Sequence, residues 1–308
     1  MKNSTRSFDQ LSLVTTIAIG LCTLFWSLSI NAQGQHFNPK GKQPSEFTRE
    51  IQAQLRQSLP FEDQRDFEES RRGFIAEPDY RQILGAQGNI VWDMTRYDFL
   101  LDGNDYDSIH PSLQRQATLN MNYGLYEVVP GFLYQVRGFD VSNLTLVRGD
   151  TGWILFDVLL ASETAEAALA LANQHLGELP VKAVVYSHSH IDHFGGVRGV
   201  INAEDVRNGD VQVYAPSGFM DEAIAENVYA GNAMSRRSGF QFGRVIPSTP
   251  FGQVDSAIGK ALAAGTPGLI APSVVIENDF EEHIIDGVTV VFQNTPGTEA
   301  PAEMNAWF

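Results

Sequence analysis

Between residues 124 and 157 the chain is written in short β-rich apolar runs punctuated by Gly and Asp. Residues 125–129, 132–136, 143–147 and 153–157 each have the length and composition of a strand. Gly149-Asp150-Thr151-Gly152 is a tight-turn signal between the last two. A succession of antiparallel hairpins is therefore expected. The period then changes. Ala165, Ala168, Leu169, Leu171 and Ala172 form an apolar stripe that predicts a helix over 162–176, with Ser162 placed to cap its start and Gly177 to end it. Residues 181–186 follow as a continuous apolar strand apart from Lys182. Strand, helix and buried strand predict a βαβ crossover, and ligands gather at the carboxyl ends of such strands.

The flanks are less patterned. Pro44-Ser45-Glu46 has the form of a capped helix start, and Ile51, Leu55 and Leu59 recur at helical spacing after it. A short helix is expected around 111–116. Downstream, 211–214, 273–277 and 288–293 read as strands and 218–228 as a helix. Residues 231–250 read as a long polar loop carrying Arg236, Arg237 and Arg244. Ala306-Trp307-Phe308 reads as part of a strand, broken off where the sequence stops. Residues 33–107 are expected as a leader with peripheral helices, and 108–308 as the main domain.

Lys2 and Arg6 precede an apolar run from Leu11 to Ile30, followed by Asn31-Ala32-Gln33. Residues 1–32 read as a secretory signal peptide, which implies a secreted or periplasmic protein; an uncleaved anchor is the alternative. Cys22, the single cysteine, lies inside this segment. A mature chain without it forms no intramolecular disulfide and no cysteine-ligated metal site. The net charge of −16 argues against a nucleic-acid partner, because phosphate backbones need clustered Lys and Arg.

Directly after the apolar strand come His188, His190, Asp192 and His193, four potential ligands within six residues. Extended backbone sends alternate side chains to one side, so His188 and His190 can reach one ion together. A turn after Ile191 lets Asp192 and His193 point to a neighbouring position. Two ions roughly 3.5–4 Å apart is the geometry that activates water and clamps an ester. Borderline Zn²⁺ suits imidazole with carboxylate. Gly195-Gly196 follows, as expected where the chain turns tightly beside a metal pocket.

The run Tyr186-Ser187-His188-Ser189-His190-Ile191-Asp192-His193-Phe194-Gly195-Gly196 resembles the signature of the metallo-β-lactamase superfamily, whose fold is an αββα sandwich of the α/β class. The stretches 124–128, 138–157, 231–237 and 295–304, the last reading Thr-Pro-Gly-Thr-Glu-Ala-Pro-Ala-Glu-Met, resemble the class III linear primary alkylsulfatases, which hydrolyse alkyl sulfates such as dodecyl sulfate. The similarity spans about residues 108–308. It implies His188, His190 and Glu299 as ligands of a first zinc, and Asp192 and His193 as ligands of a second. Glu299 stands where ordinary β-lactamases use histidine. The resemblance further implies a bridging glutamate and a histidine beyond residue 308, a dimerisation domain giving a homodimer, and hence a chain that is part of a longer protein.

Arg236 and Arg237 are candidates to face a sulfate, since the guanidinium fork donates parallel hydrogen bonds to oxyanions; surface ion pairs are the alternative. Asn232 is a further candidate donor. Glu303 is expected to support Glu299, and Asp157 to support the site. His36, His110, His175 and His283 show no ligand spacing. The expected reaction is hydrolysis of alkyl sulfate to alcohol and sulfate by a binuclear zinc site, with metal-bound hydroxide as nucleophile. The alternatives are a lactam, thioester or phosphoester hydrolase of the same superfamily, or a non-catalytic metal-binding protein.

Overall fold

From the N-terminal side, helices α1 (Glu46–Ser58) and α2 (Arg65–Ser70) precede β1 (Phe74–Ala76), β2 (Gln82–Leu84), β3 (Ile90–Asp93) and α3 (Pro111–Leu119) in the computed structural model, which describes residues 41–308. The stretch 1–32 read as a signal peptide, with Cys22, lies outside the described residues. Next come β4 (Gly124–Val129), β5 (Leu133–Arg137), β6 (Leu144–Arg148), β7 (Trp153–Phe156), α4 (Ser162–Leu176) and β8 (Val181–Val185). The remainder is α5 (Ile191–Phe194), α6 (Ala203–Asn208), β9 (Gln212–Pro216), α7 (Phe219–Ile224), α8 (Gly231–Gln241), and β10 (Val274–Ile276), β11 (Phe280–Ile285), β12 (Val288–Asn294) and β13 (Met304–Trp307).

Eight strands form one sheet in the order β1-β4-β5-β6-β7-β8-β9-β10. The hairpins from β4 to β7 are antiparallel as expected, and β7 to β10 are parallel. The change of direction falls at β7–α4–β8, the predicted crossover. β11, β12 and β13 make a second, antiparallel sheet. One face of the large sheet packs Leu155, Val184 and Val213 against Ala168, Leu171 and Ala172 of α4. Its other face sends Ile154, Ala183 and Val185 against Ile285, Val290 and Phe292 of the small sheet. Alternate residues of β7 and β8 thus serve two cores, which is why both strands read as continuous apolar runs. The layers are helix, sheet and sheet, which match the first three layers of the αββα sandwich expected from the sequence as incomplete at its C-terminus.

Two turns lock the sheets together. Asp286 accepts from Thr151 N and Gly152 N, each at 2.8 Å, and Asp150 N donates to Asp286 O at 2.8 Å. Gly287 is left-handed there, and a Cβ on it would strike the Asp150 carboxylate.

The structure departs from the sequence reading in four places. β1, within the stretch read as peripheral helices, adds an edge strand to the main sheet. α4 begins at Ser162 with Ala161 as its cap residue, so Ser162 makes no capping bond. Residues 280–285 form β11, which polar alternation (Glu281, Glu282, His283) concealed. The expected polar loop at 231–250 begins as the helix α8, which lacks a buried residue and so carries little of the periodic apolar signal that marks a helix.

Candidate metal centre

The ligand-rich segment leaves β8 at Val185 and is held by backbone bonds on both sides. Tyr186 N donates to Tyr214 O at 2.9 Å, Ser189 N to Ala302 O at 3.2 Å, and Met304 N to Ser187 O at 2.9 Å. These bonds bring the turn at 295–303 against His188. His190 precedes α5, and that single turn carries Asp192 and His193. Gly195 and Gly196 follow with negative φ, so they are not there for a left-handed turn. They allow close approach instead: a Cβ on Gly196 would overlap the carbonyl of Val158, and one on Gly195 that of Leu160.

His188, His190 and Glu299 each offer a donor atom, and the three atoms lie within 4.8 Å of one another. His188 Nε2 and His190 Nδ1 are each 3.9 Å from Glu299 Oε1. Two donors bound tetrahedrally at zinc-like lengths would stand about 3.4 Å apart, so a small contraction would complete this side of an ion's shell. Asp192 and His193 form a neighbouring pair, Oδ2 to Nε2 at 3.3 Å. The His188 and His193 rings lie 3.8 Å apart between centroids, so the two donor sets adjoin. The turn that presents Glu299 is held by Glu303, whose Oε2 accepts from Glu299 N at 2.6 Å and Ala300 N at 3.0 Å. His283, by contrast, pairs with Glu281 and packs against Tyr214 and Phe292.

The hydrogen bonds behind these candidate donors dictate their protonation pattern. Asp157 Oδ2 accepts from Ser187 Oγ at 2.8 Å, and Asp157 Oδ1 accepts from Ser187 N at 2.9 Å. The Ser187 hydroxyl has spent its one proton, so it accepts from His188 Nδ1, 2.9 Å away. His188 Nε2 is then a lone pair. It is buried and has no hydrogen-bond partner, an expensive state for a polar atom unless a cation takes it. Burial first, then the neighbouring His193, pushes the His188 pKa down and favours this neutral form. His193 Nδ1 donates to Asp157 Oδ2 at 2.8 Å, which leaves its Nε2 facing Asp192. Burial opposes charge on His193, but Asp157 and Asp192 outweigh it and raise its pKa to about 11. Asp192 is held below the usual carboxylate range: burial raises it, and the His193 contact lowers it more. A divalent cation fits this donor set, since it would satisfy His188 Nε2 and replace the proton between His193 and Asp192.

Asp157 sits at φ 55° and Leu159 at φ 61°. Two non-glycine residues in left-handed backbone within three positions mark a loop strained by its surroundings. Asp157 N donates to Val185 O and Val158 N to His193 O, at 3.0 and 2.9 Å, which fastens that loop to the ligand segment.

A cleft of about 460 Å³ opens beside His190 and Asp192. Arg237 and Arg244 line it together with apolar Leu160, Met234, Phe242 and Leu262. Glu226 also lines it, with Oε2 4.0 Å from His190 Nε2. Asn232 and Arg236 are exposed and are not among the lining residues. The helix explains the split: consecutive residues on α8 point about 100° apart, so Arg236 and Arg237 cannot share a face. Arg244 and Glu226 join the cleft without any local sequence signal, because both depend on how the 225–246 segment packs.

The apolar wall has its own fastener. Asp140 is buried and accepts from Val141 N, Ala263 N, Leu160 N and Thr164 Oγ1 at 2.8, 3.0, 3.2 and 3.3 Å. It thereby places Leu160 and the Leu262 loop. Burial raises its pKa to about 6 against the lowering by these backbone donors. A raised carboxyl binds more protons folded than unfolded, so its contribution to stability falls as pH rises from about 4 to 6, by up to about 3 kcal/mol. Denaturant melts of metal-free protein are expected to show the difference between wild type and Asp140→Asn shrinking over that window and flat above pH 7. A pH-independent difference would contradict the assignment.

The chain belongs to the metallo-beta-lactamase superfamily, whose family model matches residues 137–300. Its similarity to particular proteins is closer than that. It is 49% identical over 267 residues to an (R)-specific secondary-alkylsulfatase of Pseudomonas sp, covering 86% of this chain and 40% of that protein. It is 47% identical over 262 residues to an alkyl/aryl-sulfatase of Saccharomyces cerevisiae, covering 85% of this chain and 40% of that one. The solved structure of a stereoselective inverting sec-alkylsulfatase from Pseudomonas sp. matches with TM-score 0.84 at 48% identity, over 88% of this chain and 43% of that one. The chain thus spans about 40% of the length of these curated relatives.

Proposed function

We propose that the protein hydrolyses alkyl sulfate esters to alcohol and sulfate at the His188–Glu299 centre. The observation that carries this reading is the cleft: His190 and Asp192 of the donor set line it together with Arg237, Arg244 and the apolar Leu160, Met234, Phe242 and Leu262. The relatives named as alkylsulfatases support the same substrate class. His188, His190 and Glu299 would hold one divalent ion and Asp192 with His193 a second, with zinc suited to this donor set. Such ions, when bound, polarise an ester oxygen and lower the pKa of water. The arginines pair with the sulfate oxygens, and burial of Leu160, Met234 and Phe242 against the chain draws the alkyl group out of water. Asp157 and Ser187 keep both imidazoles in the ligating tautomer.

Relatives named for primary and for secondary esters are similar to this chain at 44% and 49% identity. We take the linear primary ester as the substrate. Full-length, metal-loaded protein is expected to release sulfate from dodecyl sulfate and to lose that activity on chelation. Absence of sulfate release from primary and secondary esters alike, with metal fully loaded, sinks the reading. Export through residues 1–32 and a homodimer complete the proposal; the N-terminus of the mature protein and its sedimentation test them.

A further inference from the structure

Three imidazoles face the candidate centre, and each has an outer nitrogen that needs a partner. His188 Nδ1 has Ser187 Oγ at 2.9 Å, and His193 Nδ1 has Asp157 Oδ2 at 2.8 Å. His190 is turned the other way round. Its Nδ1 faces the centre, 3.9 Å from Glu299 Oε1, so its Nε2 points outward, and Glu226 Oε2 stands 4.0 Å from that atom. Both side chains are largely shielded, at 31% and 24% exposure. Among the described residues Glu226 has no other ion-pair partner within 4.0 Å, although Arg237 and Arg244 line the same cleft.

The backbone that presents Glu226 is unusual. α7 widens at its end into a π turn, Ala225–Tyr229, and Ala230 N donates to Ala225 O, five residues back, at 2.9 Å. Asn227 Nδ2 donates to Ala223 O at 2.9 Å and ties the turn to α7. Such turns are rare and frequently mark functional sites. Here the turn carries Glu226 into the cleft lining beside His190.

We propose that Glu226 is the positioning residue of His190: its carboxylate accepts from Nε2–H and so holds the ring with Nδ1 free for a metal ion. The inference rests on the metal centre of the reading above and is independent of its substrate. Proton count sets the requirement. A neutral imidazole carries one proton, so a ring that offers its Nδ1 lone pair to a cation bears that proton on Nε2 and needs an acceptor there. The 4.0 Å separation exceeds a hydrogen bond by about 1 Å. Rotation of the flexible Glu226 side chain closes that gap as the ligands draw together. One carboxylate thereby fastens the segment that carries Met234 and Arg237 into the cleft to a ligand of the centre.

The test uses full-length protein, with zinc titrated against a competing chelator. Glu226→Ala is expected to weaken zinc binding by about 10–100-fold. Glu226→Gln keeps an accepting oxygen and is expected to recover most of that loss. In zinc-loaded wild type the His190 Nε2–H should give a slowly exchanging imidazole resonance, which the Gln variant keeps and the Ala variant loses to solvent exchange. Denaturant midpoints of the three metal-free proteins should agree. Unchanged zinc affinity, or an unchanged resonance, in Glu226→Ala overturns the proposal. So does a Gln variant as weak as the Ala variant, which would make the negative charge rather than the accepting oxygen what counts. A lower metal-free midpoint in both variants would make Glu226 a structural residue and overturn it as well. Failure of wild type to bind zinc strikes the centre itself, and with it the reading on which the proposal rests.

Discussion

Replacing Glu299 with alanine is expected to cost at least about 10²-fold in metal affinity, because losing even an outer partner of a ligand costs about 10–100-fold. The same variant should leave the metal-free fold within about 0.5 kcal/mol of wild type. The Glu299 side chain is 66% exposed, and its carboxylate faces His188 Nε2 and His190 Nδ1 at 3.9 Å. The turn that carries it is held by Glu303 through backbone donors, which the substitution keeps. Metal titration followed by calorimetry, alongside denaturant melts, separates the two effects. Unchanged metal affinity would remove Glu299 from the centre, and a large loss of stability would make it a structural residue.

Asp157→Asn should lower metal affinity by about 10–100-fold without touching a ligand. The carboxylate takes protons from Ser187 N, Ser187 Oγ and His193 Nδ1. An amide has one accepting atom in place of two, so its NH₂ must oppose at least one of these donors. Either His193 turns its Nδ1 away, or Ser187 ceases to accept from His188. Asn tolerates the left-handed backbone at this position, so the loop itself should persist. Imidazole proton and nitrogen resonances of the metal-free protein report the His188 tautomer and the His193 protonation state, and one or both should change. Wild-type tautomers with wild-type affinity would refute a positioning role.

Local pattern carried most of the main sheet. The strands from β4 to β8 and the helix α4 are contiguous apolar signals with turn residues between them, and each was legible because its partners are its chain neighbours. The failures share one cause. β1 pairs with β4, some 50 positions away, and three residues carry no period of their own. α8 shows little amphipathic stripe, and β11 alternates polar residues on a strand exposed along one face. Elements held by distant partners or lying on the surface leave little trace in local periodicity.

The same division runs through the site. Candidate ligands, His188, His190, Asp192, His193 and, through the family resemblance, Glu299, could be proposed from the sequence, because ligand chemistry depends on residue type and close spacing. Whether Glu299 stands near His188 was decided by the β12–β13 connection, which crosses back to pair with the segment after β8. Sequence could place Asp157 near the site and no more. Tertiary structure made it the acceptor that sets two imidazole tautomers, since that role depends on hydrogen-bond directions across loops some 30 residues apart. Arg237 was separated from Arg236, and joined to Arg244 and Glu226, only when the segment folded as a helix with one side on the cleft. Residue type is a property of the chain, and sequence alone determined it. Direction and distance are properties of packing, and only the fold decided them.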